Sequence, residues 1–443
     1  MHCILAMSFG ISCLNHSLMT STDLIIIGAG PGGYSTAAYA ASKGLKVVVV
    51  EKDKLGGVCL NHGCIPTKCL AHDADLLRNP LLPDGGRNFV DFPHIQERKN
   101  EVIQKLQQGI ETILSQPGIT LVKGSAEFTD SHTINVDGDE YSAKNIIIAT
   151  GSHSKLPPFA VEGMKSKKTK VVTSTELLDI DHVPETLAIV GAGVIGMEFA
   201  SAFNTFGTKV EVYEFLPECL PTLDKDIAKR LRKTLEKRGI KFHFKYSVEN
   251  VDDLGAEVVL VATGRGANTE ELELEKTGVT FDRKGITVDD NMETNVPGVY
   301  AIGDVNGRIM LAHAAEWEGK RAVNHILGQK DSIRFDIMPS AIFTYPEAGS
   351  VGPTEAELKE QGVEYTVHKN FFRANGKALS IDETEGMLKL IADKDDKIIS
   401  CHIFGPHSAD IVQEVTALMN SDCTVSKLKD IIHIHPTLGE ILI

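Results

Sequence analysis

No stretch of eighteen uninterrupted apolar residues occurs in the chain, which excludes an ordinary membrane-spanning helix and sets a membrane partner aside. Positive charge is also scarce. Against 60 Asp and Glu stand 45 Lys and Arg, a formal charge of −15, and no basic stretch reverses that balance to attract nucleic acid. Eight cysteines, scattered without the spacing of a disulfide framework, argue against a secreted scaffold and for a reducing compartment, the cytoplasm. Residues 1–18 hold no Lys or Arg, so they lack both the basic start of a signal peptide and the arginines of a transit peptide. They read as a disordered or mis-started extension, with Met19 as a natural start.

What is present is a repeat. Residues 23–51 read as strand, glycine turn, helix and strand: an apolar run at 24–27, then Gly28-Ala29-Gly30-Pro31-Gly32-Gly33, an Ala-rich helix, then valines at 47–50 and Glu51. The pattern returns at 187–214 with Gly191-Ala192-Gly193-Val194-Ile195-Gly196, a helix through Phe206, and a strand ending in Glu214. From first glycine to acid the interval is twenty-three residues in both copies. Such turns let a backbone approach a pyrophosphate at a helix N-terminus, and the acid can accept both hydroxyl hydrogens of an adenosine ribose. Tight helix–strand packing alone could also demand glycine, but two copies in matching context favour two dinucleotide sites. A second echo supports duplication: residues 146–148 and 258–261 are apolar strands that each run into Ala-Thr-Gly, at Gly151 and Gly264. Glu214 would repel a 2′-phosphate, and residues 215–220 offer no Arg or Lys to receive one, so the second site is expected to take NAD rather than NADP.

Cys59 and Cys64 lie just past the first repeat, in Gly57-Val58-Cys59-Leu60-Asn61-His62-Gly63-Cys64-Ile65-Pro66-Thr67-Lys68. In a regular helix two residues at this spacing are roughly 8.6 Å apart, beyond the ~7 Å that a disulfide bridges, so the segment is expected to be distorted at Gly63. Pro66 suits the first turn of a helix starting near Cys64. A thiol there is acidified, and Lys68 on the same face favours its thiolate, leaving Cys59 as the more exposed attacker. A buried inert pair or half of a metal site remain the other readings, although a metal would want two more ligands at short spacing.

Toward the other end, residues 299–302 form an apolar strand that leads into Gly303-Asp304, and Met310-Leu311-Ala312-His313 opens a helix. The chain closes on Ile432-His433-Ile434-His435-Pro436-Thr437-Leu438-Gly439-Glu440, whose histidines could be metal ligands, half of a satisfied polar pair, or a catalytic base.

Taken together these motifs resemble the pyridine nucleotide-disulfide oxidoreductases, and the cysteine run is most similar to the dihydrolipoamide dehydrogenases among them. The resemblance covers nearly everything from about Met19 onward. It implies an α/β fold of two Rossmann-like dinucleotide-binding domains, for FAD and NAD, followed by a C-terminal α+β dimerisation domain. The expected division is 19–155 with 266–332 for FAD, 156–265 for NAD, and 333–443 for dimerisation. It implies that Cys59 and Cys64 form a redox-active disulfide. His435 is then the acid/base, oriented by Glu440 and delivered to the partner's disulfide in a homodimer. On the flavin side it assigns Gly28, Gly30, Gly33, Glu51, Lys68, Gly151, Asp304 and Ala312, the helix opening at Ala312 pointing its N-terminus at the flavin. On the NAD side it assigns Gly191, Gly193, Gly196, Glu198, Glu214 and Gly264. Glu198 is further expected to pair with Lys68, although a helical glutamate is more often a solvated surface group.

The activity implied is oxidation of protein-bound dihydrolipoamide with reduction of NAD, on a lipoyl carrier domain of a 2-oxo acid dehydrogenase or of the glycine cleavage system. A glutathione- or mercuric-reductase-like enzyme, or an impaired flavoprotein with a binding role, are the alternatives. Two departures stand out. The chain is short between Ile240 and Val261, putting the rigidity of the NAD domain in doubt, and it ends three residues after Glu440, where a weaker interface is expected.

Overall fold

A computed structural model describes residues 20–79, 81–82 and 90–443, so the expectation for residues 1–18 lies outside the described residues. The first sheet is built on β1 (Thr20–Ile27), β2 (Val47–Glu51) and β3 (Ile119–Lys123), parallel in the order β3-β2-β1. Leu24, Ile25, Ile26 and Val49 are fully buried because one face packs against helices and the other against residues 126–136 and 272–286, which is why these strands read as unbroken apolar runs. The helices α1 (Pro31–Ser42), α2 (Gly57–His62), α3 (Cys64–Leu77) and α4 (Phe92–Leu114) fall between these strands in sequence. A meander of β4 (Ala126–Asp130), β5 (Thr133–Val136) and β6 (Asp139–Ile148) follows, and β6 also joins β1 in parallel.

A short strand, β7 (Ser152–Ser154), leads into a second unit. It holds α5 (Pro158–Gly163), β8 (Lys170–Val172), α6 (Ser174–Leu178), β9 (Thr186–Val190), α7 (Val194–Phe206), β10 (Lys209–Glu214), α8 (Lys225–Lys237), β11 (Lys241–Phe244) and β12 (Val258–Val261). Its sheet is parallel throughout, in the order β11-β10-β9-β12-β8. The chain leaves through β13 (Arg265–Ala267), antiparallel to β7, so entry and exit form one two-stranded ribbon. A hairpin of β14 (Phe281–Asp282) and β15 (Gly285–Ile286) precedes β16 (Val299–Ala301), which returns to the first sheet beside β6. After it, α9 (Ala312–Ile326) packs on α1. The last sheet is antiparallel: β17 (Ser340–Ile342), β18 (Glu347–Val351), β21 (Ile398–Gly405), β20 (Met387–Asp393) and β19 (Tyr365–Phe371) in spatial order, with the helix Ser408–Asn420 against it.

The shortened stretch of the second unit is closed by little chain. Val248, Val251 and Ala256 are buried with Ala188, Val190, Tyr213 and Val259, and Val251 sits so close to Gly163 that a Cβ there would collide with it. Asn250 caps the turn Val251–Leu254, and Ser166 donates to Asp252 at 2.6 Å. One face of the sheet is thus sealed by a single turn and α5.

Buried charge locks the second unit to the last sheet. Lys389 on β20 donates to both oxygens of Asp224 at 2.9 Å and lies beside Glu355, and Lys389 and Asp224 are almost wholly buried. Asp224 also caps α8 through the Asp226 amide at 3.0 Å. Burial opposes ionisation of Asp224, but the Lys389 ammonium outweighs it and holds the carboxyl below the usual carboxylate range. Hydrogen bonds from Lys359 and then Lys389 pull Glu355 down to about 2. Both carboxyls are depressed on folding, so the stability they add is complete above their unfolded values, about 4. It is lost as pH falls through the folded ones. Acid unfolding followed by circular dichroism is expected to show a loss of stability between about pH 4 and 2 that is reduced in Glu355→Gln.

Candidate functional site

The two glycine turns have nearly the same geometry. Gly28 (φ +104°) and Gly191 (φ +109°) adopt a backbone conformation that other residues resist, and a Cβ on either would run into the carbonyl of Ala149 or Ala262 just past the neighbouring strand. Gly33 and Gly196 let α1 and α7 close on their own turns, since a Cβ there would strike the carbonyl of Gly28 or Gly191. The middle glycines do the opposite. Around Gly193 no atom lies within 4 Å of where a Cβ would be, and around Gly30 only the Gly57 Cα does, at 3.9 Å. Gly151 and Gly264, just past β6 and β12, are equally open. Each turn therefore leaves space at the N-terminus of its helix, and the residues present fit a dinucleotide at both.

The acids match as closely. Glu51 accepts from the Ala29 amide at 2.7 Å and from the Asp53 amide at 2.8 Å; Glu214 accepts from Ala192 at 2.7 Å and from Leu216 at 2.8 Å. Both carboxylates are fixed at the strand end by backbone donors, with lone pairs remaining for ribose hydroxyls.

Cys59 and Cys64 are joined in a disulfide with Cα atoms 4.8 Å apart. The close approach comes from Gly63, which breaks the helix between α2 and α3 (φ −149°, ψ −109°) and ends one turn so that Cys64 can begin another. The expected distortion is present. Four other cysteines, Cys69, Cys219, Cys401 and Cys423, are buried as free thiols.

One turn along α3, Lys68 donates to both oxygens of Glu198 on α7, at 2.9 and 3.1 Å. Glu198 is 5 % exposed, so the surface-glutamate reading is excluded. Its carboxylate also accepts from the Phe343 amide at 2.9 Å, and the Lys68 ammonium lies 4.6 Å from the centre of the Phe343 ring. All three units thus meet on one lysine behind the disulfide.

Past β16 a short turn, Gly303–Asn306, carries Asp304, and Ala312 opens α9 with Leu311 as its cap. Asp304 accepts from the Ser152 hydroxyl. Arg265 in turn donates to the Ser152 hydroxyl at 2.7 Å and to its carbonyl at 2.6 Å, so the β7–β13 ribbon orients the aspartate. Sequence reasoning singles out neither Arg265 nor Ser152. Arg265 follows the second Ala-Thr-Gly, and Ser152 follows the first; that adjacency is the one signal available.

His435 and Glu440 are brought together: the imidazole Nδ1 lies 2.9 Å from one carboxylate oxygen, and the other accepts from the Thr437 amide at 2.8 Å. These two bonds, the Thr437 one first, hold Glu440 below the usual carboxylate range. Ile441 and Leu442, buried in the core of the last sheet, anchor the turn that carries the glutamate. A carboxylate on Nδ1 leaves Nε2 as the free acceptor. The His435 side chain is 80 % exposed, and among the described residues no hydrogen bond or ion pair links it to Cys59 or Cys64. Ile432 and Ile434 beside it are also exposed, an apolar strip around an uncovered histidine.

Residues 22–319 match the pyridine nucleotide-disulphide oxidoreductase family, and residues 338–443 match the dimerisation domain of that family. The chain belongs to this family. Its members couple a disulfide to FAD and a pyridine nucleotide. Among curated relatives, dihydrolipoyl dehydrogenase 1, mitochondrial, of Arabidopsis thaliana is 38 % identical, with 95 % of this chain and 89 % of that protein covered. Leghemoglobin reductase of Glycine max is 39 % identical over 94 % of this chain and 86 % of its own length. Dihydrolipoyl dehydrogenase of Geobacillus stearothermophilus is 37 % identical over 95 % and 94 %. A solved relative, the HOCl-induced flavoprotein disulfide reductase of Escherichia coli in its Cu(II) complex, superposes with a TM-score of 0.87 at 29 % identity, covering 96 % of this chain and 98 % of that one. Membership accounts for the paired glycine turns, and none of the described helices is long and apolar enough to cross a membrane.

Proposed function

We propose that this protein is a dihydrolipoyl dehydrogenase, oxidising a protein-bound dihydrolipoyl group to the cyclic disulfide with reduction of NAD. The observation that carries the reading is the Cys59–Cys64 disulfide at the start of α3, one turn from a lysine caged by Glu198. In this reading the FAD domain takes 19–155 and 266–332, the NAD domain 156–265, and the dimerisation domain 333–443.

His435 Nε2 accepts the proton of one substrate thiol, with Glu440 holding the tautomer and favouring the imidazolium. The substrate thiolate attacks Cys59 Sγ; the Cys59–Cys64 bond breaks, and the electron pair leaves on Cys64. The second substrate thiol, deprotonated in its turn, attacks the mixed disulfide and expels Cys59, which takes up a proton. The substrate has lost two electrons and two protons, and the cysteines have gained the two electrons. The Cys64 thiolate is favoured by the N-terminus of α3 and by Lys68. FAD, when bound, supplies the two-electron carrier between this dithiol and NAD. Gly28, Gly30, Gly33, Glu51, Gly151, Asp304 and Ala312 would hold it, and Gly191, Gly193, Gly196, Glu214 and Gly264 would hold NAD. A lipoyl carrier domain of a 2-oxo acid dehydrogenase or glycine cleavage system is the proposed partner. A cytoplasmic location accords with four buried free thiols, which suit a reducing compartment.

Anaerobic titration of the holoenzyme with dihydrolipoamide, followed by NAD, tests the reading. A long-wavelength thiolate-to-flavin band that discharges with NADH formation when NAD is added is expected. A flavin that ignores dihydrolipoamide but responds to glutathione or to another thiol would reassign the enzyme to a different disulfide reductase. The cofactor choice has its own test. Replacing Glu214 by alanine removes both the ribose acceptor and the repulsion of a 2′-phosphate, so kcat/KM for NAD is expected to fall on the order of tenfold while that for NADP does not fall.

A further inference from the structure

The turn that carries Asp304 is anchored at both ends. Val305 beside it is fully buried, and Gly303 (φ +72°) presses against Ala315 of α9, where a Cβ would come within 2.9 Å of the Ala315 Cβ. The two ends of the turn converge on one atom. The Gly303 amide donates to Glu318 Oε2 at 2.6 Å, and the Asn306 side-chain amide donates to the same oxygen at 2.9 Å. Asn306 is fixed further by donating to the Ala301 carbonyl at 3.3 Å and accepting from the Arg308 amide at 2.9 Å. Glu318 itself is 1 % exposed, on the second turn of α9, with no cation within ion-pair distance among the described residues. A carboxylate so deeply buried without a cation is costly to keep, and what compensates it here is the two donors that converge on it.

We propose that Glu318 is a positioning residue for the flavin, acting through Asp304. By drawing Gly303 and Asn306 onto one oxygen it sets the backbone from which Asp304 projects, and because it stands on α9 it fixes that turn relative to Ala312, the start of the same helix. Two elements assigned to the flavin are thereby held at one spacing by one side chain. Ser152 completes the arrangement by donating to the Asp304 carboxylate from the β7–β13 ribbon. The proposal rests on FAD being the cofactor of the first glycine turn. Burial pushes the Glu318 carboxyl up to about 7 against its two donors, so a neutral amide is a close electrostatic substitute.

Glu318→Gln keeps an oxygen to receive both donors; Glu318→Leu keeps the volume and removes the acceptor. FAD affinity of the deflavinated proteins, measured by fluorescence titration, is expected to fall at least about tenfold in Glu318→Leu and less than about threefold in Glu318→Gln. In an Asp304→Ala background the Leu substitution is expected to cost less than about threefold more, since the residue through which it acts is gone. Amide hydrogen exchange of 301–307 without cofactor is expected to speed up in Glu318→Leu and not in Glu318→Gln. Should the Leu variant fail to fold, Glu318→Asp, which withdraws the carboxylate by one methylene, carries the same expectation as Leu. Equal losses in the wild-type and Asp304→Ala backgrounds would overturn the proposal, as would unchanged affinity in the Leu or Asp variant. Wild-type protein that takes up no FAD overturns the flavin reading instead, and the exchange data then still report whether Glu318 holds the turn.

Discussion

Lys389→Ala lowers the unfolding free energy by about 3–5 kcal/mol, because it strands buried Asp224 without its cation and removes one of the partners of Glu355. The ion pair is 2 % and 3 % exposed, so water cannot take the place of the ammonium without opening the contact between α8 and the last sheet. The magnitude is that of breaking a pair, not of what the pair contributes over an apolar replacement. Lys389→Met with Asp224→Asn separates the two. Asparagine keeps the cap on α8 and removes the stranded charge, so the double variant is expected to recover more than half of the loss. Urea unfolding monitored by far-ultraviolet circular dichroism checks both, provided the slope with urea is unchanged. A single-variant loss below about 1 kcal/mol would show that the site hydrates and that the lock is weak.

The second large effect is on turnover. His435→Gln is expected to reduce kcat for dihydrolipoamide oxidation by about 10² to 10⁴, the usual weight of a positioned acid/base, while FAD content stays unchanged. Cys64→Ser is expected to abolish the same activity, since serine cannot close the disulfide. The exposed position of His435 makes the pair more informative than either alone. If the histidine serves the partner's disulfide, a mixed dimer of the two inactive variants contains one intact site, built from the cysteines of the His435→Gln subunit and the histidine of the Cys64→Ser subunit. Random re-association of equal amounts should then return about a quarter of full activity. No recovery after verified subunit exchange would place His435 and the disulfide of one chain in the same site.

Much of the site is legible in the sequence because it is local. Glu51 and Glu214 stand at a fixed interval from their glycines, and the break at Gly63 follows from a spacing that a regular helix cannot bridge. The glycine, cysteine and acid positions are dictated by turns a few residues long, and short-range geometry leaves its record in sequence. The pairing of Lys68 with Glu198 is reached only through resemblance, since 130 residues separate the partners and neither carries a local signal. Lys389 with Asp224, 165 residues apart, leaves no trace at all, and neither does Glu318, whose acceptor role depends on a helix packing back onto a turn. The meander of β4 and β5 escapes for another reason: its strands are short, with β4 half-exposed and β5 only four residues long, and the apolar run of β6 alone stands out. The shortened second unit reads as a defect because the sequence shows the missing length and hides the burial of Val251 that replaces it.

The lysine behind the disulfide also bears on how the molecule comes apart. Lys68 is held by a carboxylate from one unit and an aromatic ring from another, so none of the three can loosen without freeing it. In the proposed mechanism electron transfer and cooperativity therefore share a side chain: the lysine assigned to favour the Cys64 thiolate is also a joint of the fold. A local opening anywhere along that joint would disarm the cysteines without touching them, which ties the chemistry of the site to the integrity of the whole chain.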